Sequence, residues 1–375
     1  MSAGWHTKPF EECIEKLAYT SKIQRKDFLT DGAYPIVSQE EAFINGYWDD
    51  EADLFEVTTP LVIFGDHTRV LKYVDFDFVL GADGVKLLQP RNFLEPKFFY
   101  YQLQAANLDS LGYARHYRLL KELAVGYPSR IEQQRIVAIL DEAFAGIATA
   151  KVNAEKNLKS ARAIFEGQLQ SVFGQCGSKW VDTTIGEVIR FIDYRGKTPV
   201  KTEAGLRLIT AKNVKMGFVQ RDPEEFVAPD SYDAWMTRGI PLKGDVLFTT
   251  EAPCGNVAQL DTAEKVVFAQ RIIIMQPDEK RLDNTFLKYA LLSSPLQKRI
   301  QAKATGATAL GIKASLLRTI EISFPKEMKE QLCIVATLDN LRSEVARLES
   351  LYTRKLAALD ELKQSLLQQA FSGQL

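Results

Sequence analysis

Two basic stretches carry the side chains best suited to binding chemistry in this 375-residue chain. Residues 295–320 hold Lys298, Arg299, Lys303, Lys313 and Arg318 and no acidic residue. Residues 191–220 hold Arg195, Lys197, Lys201, Arg207, Lys212 and Lys215 against Asp193 and Glu203. The opposite extreme is the acidic run Asp49-Asp50-Glu51-Ala52-Asp53. Local basic faces on a chain whose net charge is −1 fit a protein that touches phosphates in some places and meets other proteins elsewhere. Catalytic patterns are missing. No Walker-type phosphate loop and no GxGxxG after a strand occurs, nor the Asn/Asp-Pro-Pro-aromatic tetrapeptide of amino-methyltransferases. His6, His67 and His116 are too dispersed for a metal site or a triad. Pro229-Asp230 followed by Asp278-Glu279-Lys280 has the residue types of a nuclease, but the pattern is short and permissive, and its second half reads as a turn. The chain reads as a binder without a catalytic or metal site.

The elements that must position these side chains are written twice. Glu132-Gln133, then Ile136-Val137-Ala138-Ile139-Leu140-Asp141, returns 198 residues later as Glu330-Gln331, then Ile334-Val335-Ala336-Thr337-Leu338-Asp339. Leu169 and Phe173 return as Leu367 and Phe371. Each copy reads as one long helix, over 131–174 and 329–375. The second carries the heptad columns Leu338, Val345, Tyr352, Leu359, Leu366 and Ile334, Leu341, Leu348, Lys355, Leu362. The first carries Leu140, Ile147, Ala154, Ala161 and Ile136, Ala143, Ala150, Ile164, and is richer in alanine. Pairing the two within one molecule buries both seams. Because each helix follows a different half of a duplicated chain, they are expected to run antiparallel. A helix of this length spans about 66 Å at roughly 1.5 Å per residue, enough to act as a spacer.

Each helix follows a mixed segment, and the closing portions of the two segments match. Val85-Lys86-Leu87-Leu88-Gln89-Pro90 corresponds to Ile272-Ile273-Ile274-Met275-Gln276-Pro277; Leu94, Phe98, Tyr101 and Leu103 correspond to Leu282, Phe286, Tyr289 and Leu291. Strand signals are strong at Leu61–Phe64, Asp245–Phe248, Val266–Phe268 and Arg271–Ile274. Each segment is therefore α+β with a mostly β core, a short helix after a Gln-Pro turn, and a last strand ended by proline. The expected class is α+β: two lobes, 1–128 and 177–325, and two helical spacers, 129–176 and 326–375, related by a pseudo-twofold repeat. Hydrophobic content of 46% and charged content of 25% are ordinary for a globular protein. No apolar run reaches membrane-span length, the N-terminus lacks signal-peptide features, and Cys13, Cys176, Cys254 and Cys333 form no framework. A cytoplasmic location is expected.

With that skeleton laid out, the chain resembles the DNA-specificity subunit of Type I restriction-modification systems over essentially its whole length. The telling pieces are Glu132-Gln133-Gln134-Arg135-Ile136-Val137 and Glu330-Gln331-Leu332-Cys333-Ile334-Val335, each opening a long helix after a proline-ended strand, and the ending Leu367–Leu375. Arg195-Gly196-Lys197-Thr198-Pro199 and Gly306-Ala307-Thr308-Ala309-Leu310-Gly311-Ile312 look like loops of the family's recognition domains, as do Gly32–Val37 and Gly65–Arg69.

The resemblance implies that each lobe is a target recognition domain reading one half of an interrupted, asymmetric double-stranded DNA site. The helices would set the unread gap. Two copies of an adenine-N6 methyltransferase subunit, and a restriction subunit, would be partners and would hold the S-adenosylmethionine, ATP and Mg; this chain would be non-catalytic. Side chains able to contact base edges are then Arg195, Lys197, Thr198, Lys212 and Asn213 in the second lobe, and His67, Thr68, Arg69, Arg115, His116 and Arg118 in the first. Lys303, Thr305, Thr308 and Lys313 would touch phosphates, which position rather than specify. Two other readings are a coiled-coil scaffold whose lobes bind a protein or sugar, and a stand-alone nuclease.

Overall fold

A computed structural model of the chain describes every residue except 1–3, 107, 110, 113, 176, 178, 197, 270 and 307–309. The chain divides into two compact units, Met1–Glu155 with Thr353–Leu375, and Lys156–Tyr352. Each unit therefore holds one mixed lobe and a piece of each long helix, Arg130–Gly174 and Met328–Ser372. The fold is α+β, with the long helices paired antiparallel.

In the first unit, strand Leu61–Gly65 pairs antiparallel with Leu71–Val74 on one side and Val85–Leu88 on the other. Its uninterrupted apolar run follows from being covered on both faces. Val62, Phe64 and Leu88 point into a core shared with the short helix Pro96–Ala105, while Leu61, Ile63, Val85 and Leu87 point into a second core. Beside it lies a second sheet built on the parallel pair Tyr34–Val37 and Phe78–Gly81. The second unit repeats this plan. Val246–Thr249 pairs antiparallel with Val257–Gln259 and Ile272–Pro277, and alternate side chains again serve two cores. A second sheet again rests on a parallel pair, Leu206–Ile209 with Val267–Phe268. In each unit the first and last strands of the lobe close on each other, His6–Pro9 with Ala124–Tyr127 and Trp180–Thr184 with Glu321–Pro325.

The repeated residues are those that join lobe to helix. Gln133 is fully buried; its amide accepts from Glu95 N (2.7 Å) and donates to Phe93 O (2.9 Å) and Pro128 O (3.0 Å). Gln331 does the same with Asp283 N (2.9 Å), Arg281 O (2.8 Å) and Pro325 O (2.8 Å). Glu95 and Asp283 also cap the short helices that follow them. Tyr101 donates to Asp141 and Tyr289 to Asp339; burial and the neighbouring carboxylate push both phenols above their ordinary range. An aromatic cluster finishes each joint, Trp5–Phe98–Phe371 in one unit and Trp180–Phe286–Phe173 in the other.

Antiparallel pairing of the helices is read off the partners within each unit. In the first, Arg135 Nη2 reaches Leu375 O (2.7 Å) and Lys151 pairs with Asp360. In the second, Arg342 lies over the Phe165 ring (5.4 Å) and Arg162 pairs with Glu349 (2.8 Å). The expected seam needs one correction: Ile164 is 55% exposed and Leu362 46% exposed, whereas Phe165 is 8% exposed and packs with Leu169, Leu338 and Val345. A straight helix drifts against a strict seven-residue repeat, so the stripe passes from Ala161 to Phe165 rather than to Ile164. Among the described residues no helix is long and apolar enough to cross a membrane.

Candidate nucleic-acid interface

In both lobes, loops from separate parts of the chain gather at the same end of the central sheet. In the first lobe the turn after strand Leu61–Gly65 is tied to the loop before strand Val85–Leu88, Asp66 N donating to Gly84 O (2.8 Å), and to the approach to the last helix, His116 N donating to Asp66 O (2.8 Å). The second lobe has the same knot: Thr250 N donates to Arg271 O (2.8 Å) and Ile312 N to Thr250 O (2.8 Å). The loop after the inner parallel strand joins in each case. Gln39 Oε1 accepts from His67 N (3.2 Å) and Gln39 O from Thr68 Oγ1 (2.6 Å), while Ala211, Thr210 and Lys212 line a recess with Ala252, Ala269 and Arg271.

Close approach at the first knot requires glycine at position 84. Its φ is +76°, and an added Cβ would lie 2.7 Å from Gln39 Oε1 and 3.0 Å from His67 Cδ2. Among the described residues, three non-glycine residues adopt left-handed backbone, Arg69 (φ 62°), Ala252 (φ 46°) and Arg271 (φ 65°), and all three belong to these loops. Such conformations cost of order 1–3 kcal/mol each, persist only where surroundings impose them, and cluster at functional sites.

Residues 177–352 match the family model described as the Type I restriction modification DNA specificity domain. The chain carries this DNA specificity domain over those residues. It is 24% identical over 341 residues to the EcoR124I/EcoR124II specificity subunit of Escherichia coli, covering 84% of this chain and 81% of that protein. Its fold is similar to a solved chain from work on complex assembly and conformational transition of the type I R-M system, with TM-score 0.75, 20% identity, and 100% and 99% of the two chains covered. The HsdS subunit from Thermoanaerobacter tengcongensis matches with TM-score 0.56 at 19% identity, covering 100% and 98%.

Against the expectations for such a specificity chain, the structure sorts the candidates. His67, Thr68 and Arg69 stand together on the first knot, with Arg69 Nη1 donating to Leu108 O (2.8 Å). Arg115 and Arg118 are exposed beside it. His116 is buried: Nε2 accepts from Leu111 N (3.0 Å), so Nδ1 carries the proton and faces Asp66 O at 3.0 Å. It builds the knot and has no ring nitrogen left for a base. In the second lobe Thr198 and Lys212 line the recess with Lys201, Glu225 and Arg271. Glu225 holds Lys201 at 2.8 Å and Lys212 at 3.9 Å. Thr305 is exposed and bridges to Gly311, and Lys313 is exposed beside Ile312. Lys197 and Thr308 lie outside the described residues.

Two expectations for the second lobe are corrected in their chemistry. Asn213 is fully buried with its amide spent on backbone groups, because the tight turn after Thr210 encloses it. Arg195 is bound by Asp193 through Nε (2.8 Å) and Nη2 (2.6 Å); burial alone would raise the Asp193 carboxyl, but the bonds from Arg195 hold it below its usual range. Lys303 is likewise engaged, donating to Thr319 O (2.9 Å) and Oγ1 (2.6 Å). Asp278 and Glu279 line a cleft of about 600 Å³ with Glu187 and Asp245, and Asp230 is not among its lining residues.

Sequence reasoning missed Gln39, Glu225, Glu251 and Arg271, none of which stands in a motif. It also missed Lys72, a strand residue 3% exposed. Lys72 Nζ donates to Ala42 O, Phe43 O (3.3 Å) and Asn45 Oδ1 (3.1 Å), pinning the loop that contains Gln39. Burial lowers its pKa from 10.5 to about 8, against the opposing pull of Glu40. The unfolded chain keeps that proton to higher pH, so between about pH 8 and 10.5 it binds more protons than the folded chain, and Lys72 makes stability rise with pH there. The stability difference between wild type and Lys72→Met, measured by urea unfolding at pH 7, 9 and 10.5, should therefore shift in favour of wild type as pH rises. A difference that stays flat would exclude the effect.

Proposed function

We propose that this chain is the sequence-reading subunit of a Type I restriction-modification complex, with each lobe a target recognition domain for one half of a bipartite, asymmetric duplex site. The observation that carries this is the knot of loops at one sheet end, built on the same backbone bonds in both lobes but displaying different side chains: His67, Thr68 and Arg69 in one, Lys212, Glu251 and Arg271 in the other. A shared frame with unlike surface chemistry suits two readers of unlike half-sites. The long helices would set the unread gap, and their exposed faces, with the lobe surfaces flanking them, would dock two methyltransferase subunits and a restriction subunit. Those partners would supply S-adenosylmethionine, ATP and Mg chemistry, including extrusion of the target adenine; this chain supplies the address. Such a complex works in the cytoplasm, where the chromosome is.

Arg69→Ala is expected to weaken recognition of one half-site by about 1–3 kcal/mol and leave the other unchanged. The measurement is methylation of duplexes altered in one half at a time, by the chain assembled with its methyltransferase. Equal losses on both halves would sink the two-reader scheme. Binding of duplex DNA that does not weaken steeply with salt would favour a scaffold for a non-DNA ligand instead. Cleavage of DNA by the isolated chain with magnesium would favour the nuclease.

A further inference from the structure

We propose that Arg271 and Glu251 form one reading unit in the second lobe and recognise a G·C base pair. The inference rests on the DNA-reading function above. Arg271 stands at the loop end of the sheet, immediately before strand Ile272–Pro277, with its backbone in the left-handed region. Thr250, itself 2% exposed, holds that backbone by donating to Arg271 O through both N (2.8 Å) and Oγ1 (3.3 Å). The side chain is thereby launched from a rigid point rather than from a flexible loop.

Glu251 is set with equal care. It bridges to Gly311, where an added Cβ would lie 3.2 Å from Glu251 Cβ, so Gly311 packs closely against it. Arg271 Nε meets Glu251 Oε1 at 3.1 Å, and both side chains are about half exposed, 51% and 49%. Joining through Nε leaves the terminal fork of the guanidinium for a ligand. Three other arginines of this lobe are spent on the scaffold: Arg195 on Asp193, Arg207 on Gln220 O (2.9 Å), and Arg238 on Asp193 O and Arg195 O.

An arginine fork matches guanine O6 and N7 in the major groove, and a carboxylate accepts from cytosine N4. A linked Arg–Glu pair carries both halves of that pattern. It also repels the alternatives, since adenine N6 would face a donor and thymine O4 would face a carboxylate. Lys212 and Lys201 beside the recess would rest on the flanking phosphates.

The test assembles the full-length chain with its methyltransferase and maps methylated adenines on genomic DNA, for wild type, Arg271→Ala, Arg271→Lys and Glu251→Gln. Arg271→Ala should relax one G·C position in a single half-site by roughly 5- to 150-fold, the worth of one bidentate base contact. Arg271→Lys should relax the same position, because a point charge lacks the fork. Glu251→Gln should relax that position or the adjacent pair. If Arg271→Ala methylates the unaltered motif, the proposal falls while the two-lobe reading stands. If Arg271→Ala weakens methylation evenly across sequences and Arg271→Lys restores it, Arg271 is a phosphate contact and the proposal also falls. A wild-type complex with no bipartite motif overturns the underlying reading instead.

Discussion

Gln331→Leu is expected to destabilise the second unit by about 3–5 kcal/mol. The side chains are close in size, so packing changes little. What is lost is a set of three bonds to the backbone of Asp283, Arg281 and Pro325 at a site with no exposure. Each buried backbone group left unpaired costs about 1–3 kcal/mol, whereas a satisfied bond contributes only about 1 kcal/mol net. The loss also spreads, because Asp283 caps the helix Asn284–Leu292 by accepting from Thr285 N (2.9 Å) and Phe286 N (2.8 Å). Hydrogen exchange should show lost protection around residues 281–292 and 322–338 with the first unit unaffected. Gln133→Leu should produce the mirror result, around residues 93–105 and 125–141. A loss below about 1 kcal/mol for Gln331→Leu would mean that these bonds are replaced by water or by backbone relaxation.

These two glutamines also show why so much of the fold is legible in the sequence. Each belongs to a Glu-Gln pair that recurs at a fixed distance, and that recurrence alone marks the duplication. It has a physical cause: a helix leaving a proline-ended strand needs one long amide to satisfy three backbone groups at once. The same logic covers Tyr101 and Tyr289 with Asp141 and Asp339, and Phe98 and Phe286 with Phe371 and Phe173. Sheet strands are legible for a different reason. Runs such as Ile272–Met275 are apolar on both faces because a core lies on each side, and no alternation is needed to see them.

The reading surface is legible only in outline. Gly65–Arg69 and 306–312 stand out as loops, and Gly65–Arg69, Gly311 and Ile312 reach the gathered sheet end. Arg271 reads as part of the strand that follows it, since nothing in Arg-Ile-Ile-Ile announces a left-handed first residue. Glu225 and Glu251 look like ordinary surface acids until Lys201, Lys212 and Arg271 are brought to them by chain segments far away in sequence. Partner choice among charged side chains depends on tertiary proximity, and single-residue chemistry does not encode it. Arg195 illustrates the converse: its guanidinium has the right chemistry for a base, but the carboxylate two residues earlier claims it.

Asn213 gives the sharpest separation between a reading residue and one that shapes the reader. Its Oδ1 accepts from Thr210 N (3.0 Å) and Thr210 Oγ1 (3.2 Å), and its Nδ2 shares two protons among Gln220 O (3.3 Å), Arg221 O (3.2 Å) and Pro223 O (3.0 Å). The residue thus fastens the turn that bears Lys212 to the segment leading to Glu225. Asn213→Ala is expected to cost about 3–4 kcal/mol of second-unit stability, combining unpaired buried backbone groups with a small cavity. Asn213→Asp should be no milder, because a carboxylate would face three carbonyl oxygens that need a donor. A base-contacting asparagine predicts something else: unchanged unfolding, with discrimination relaxed at a single adenine. Urea unfolding and half-site methylation measured on the same variant therefore decide between them. Loss of stability accompanied by weakened recognition across the whole second half-site is the expected result, since the loop that Asn213 holds carries Lys212 and one wall of the recess beside Arg271.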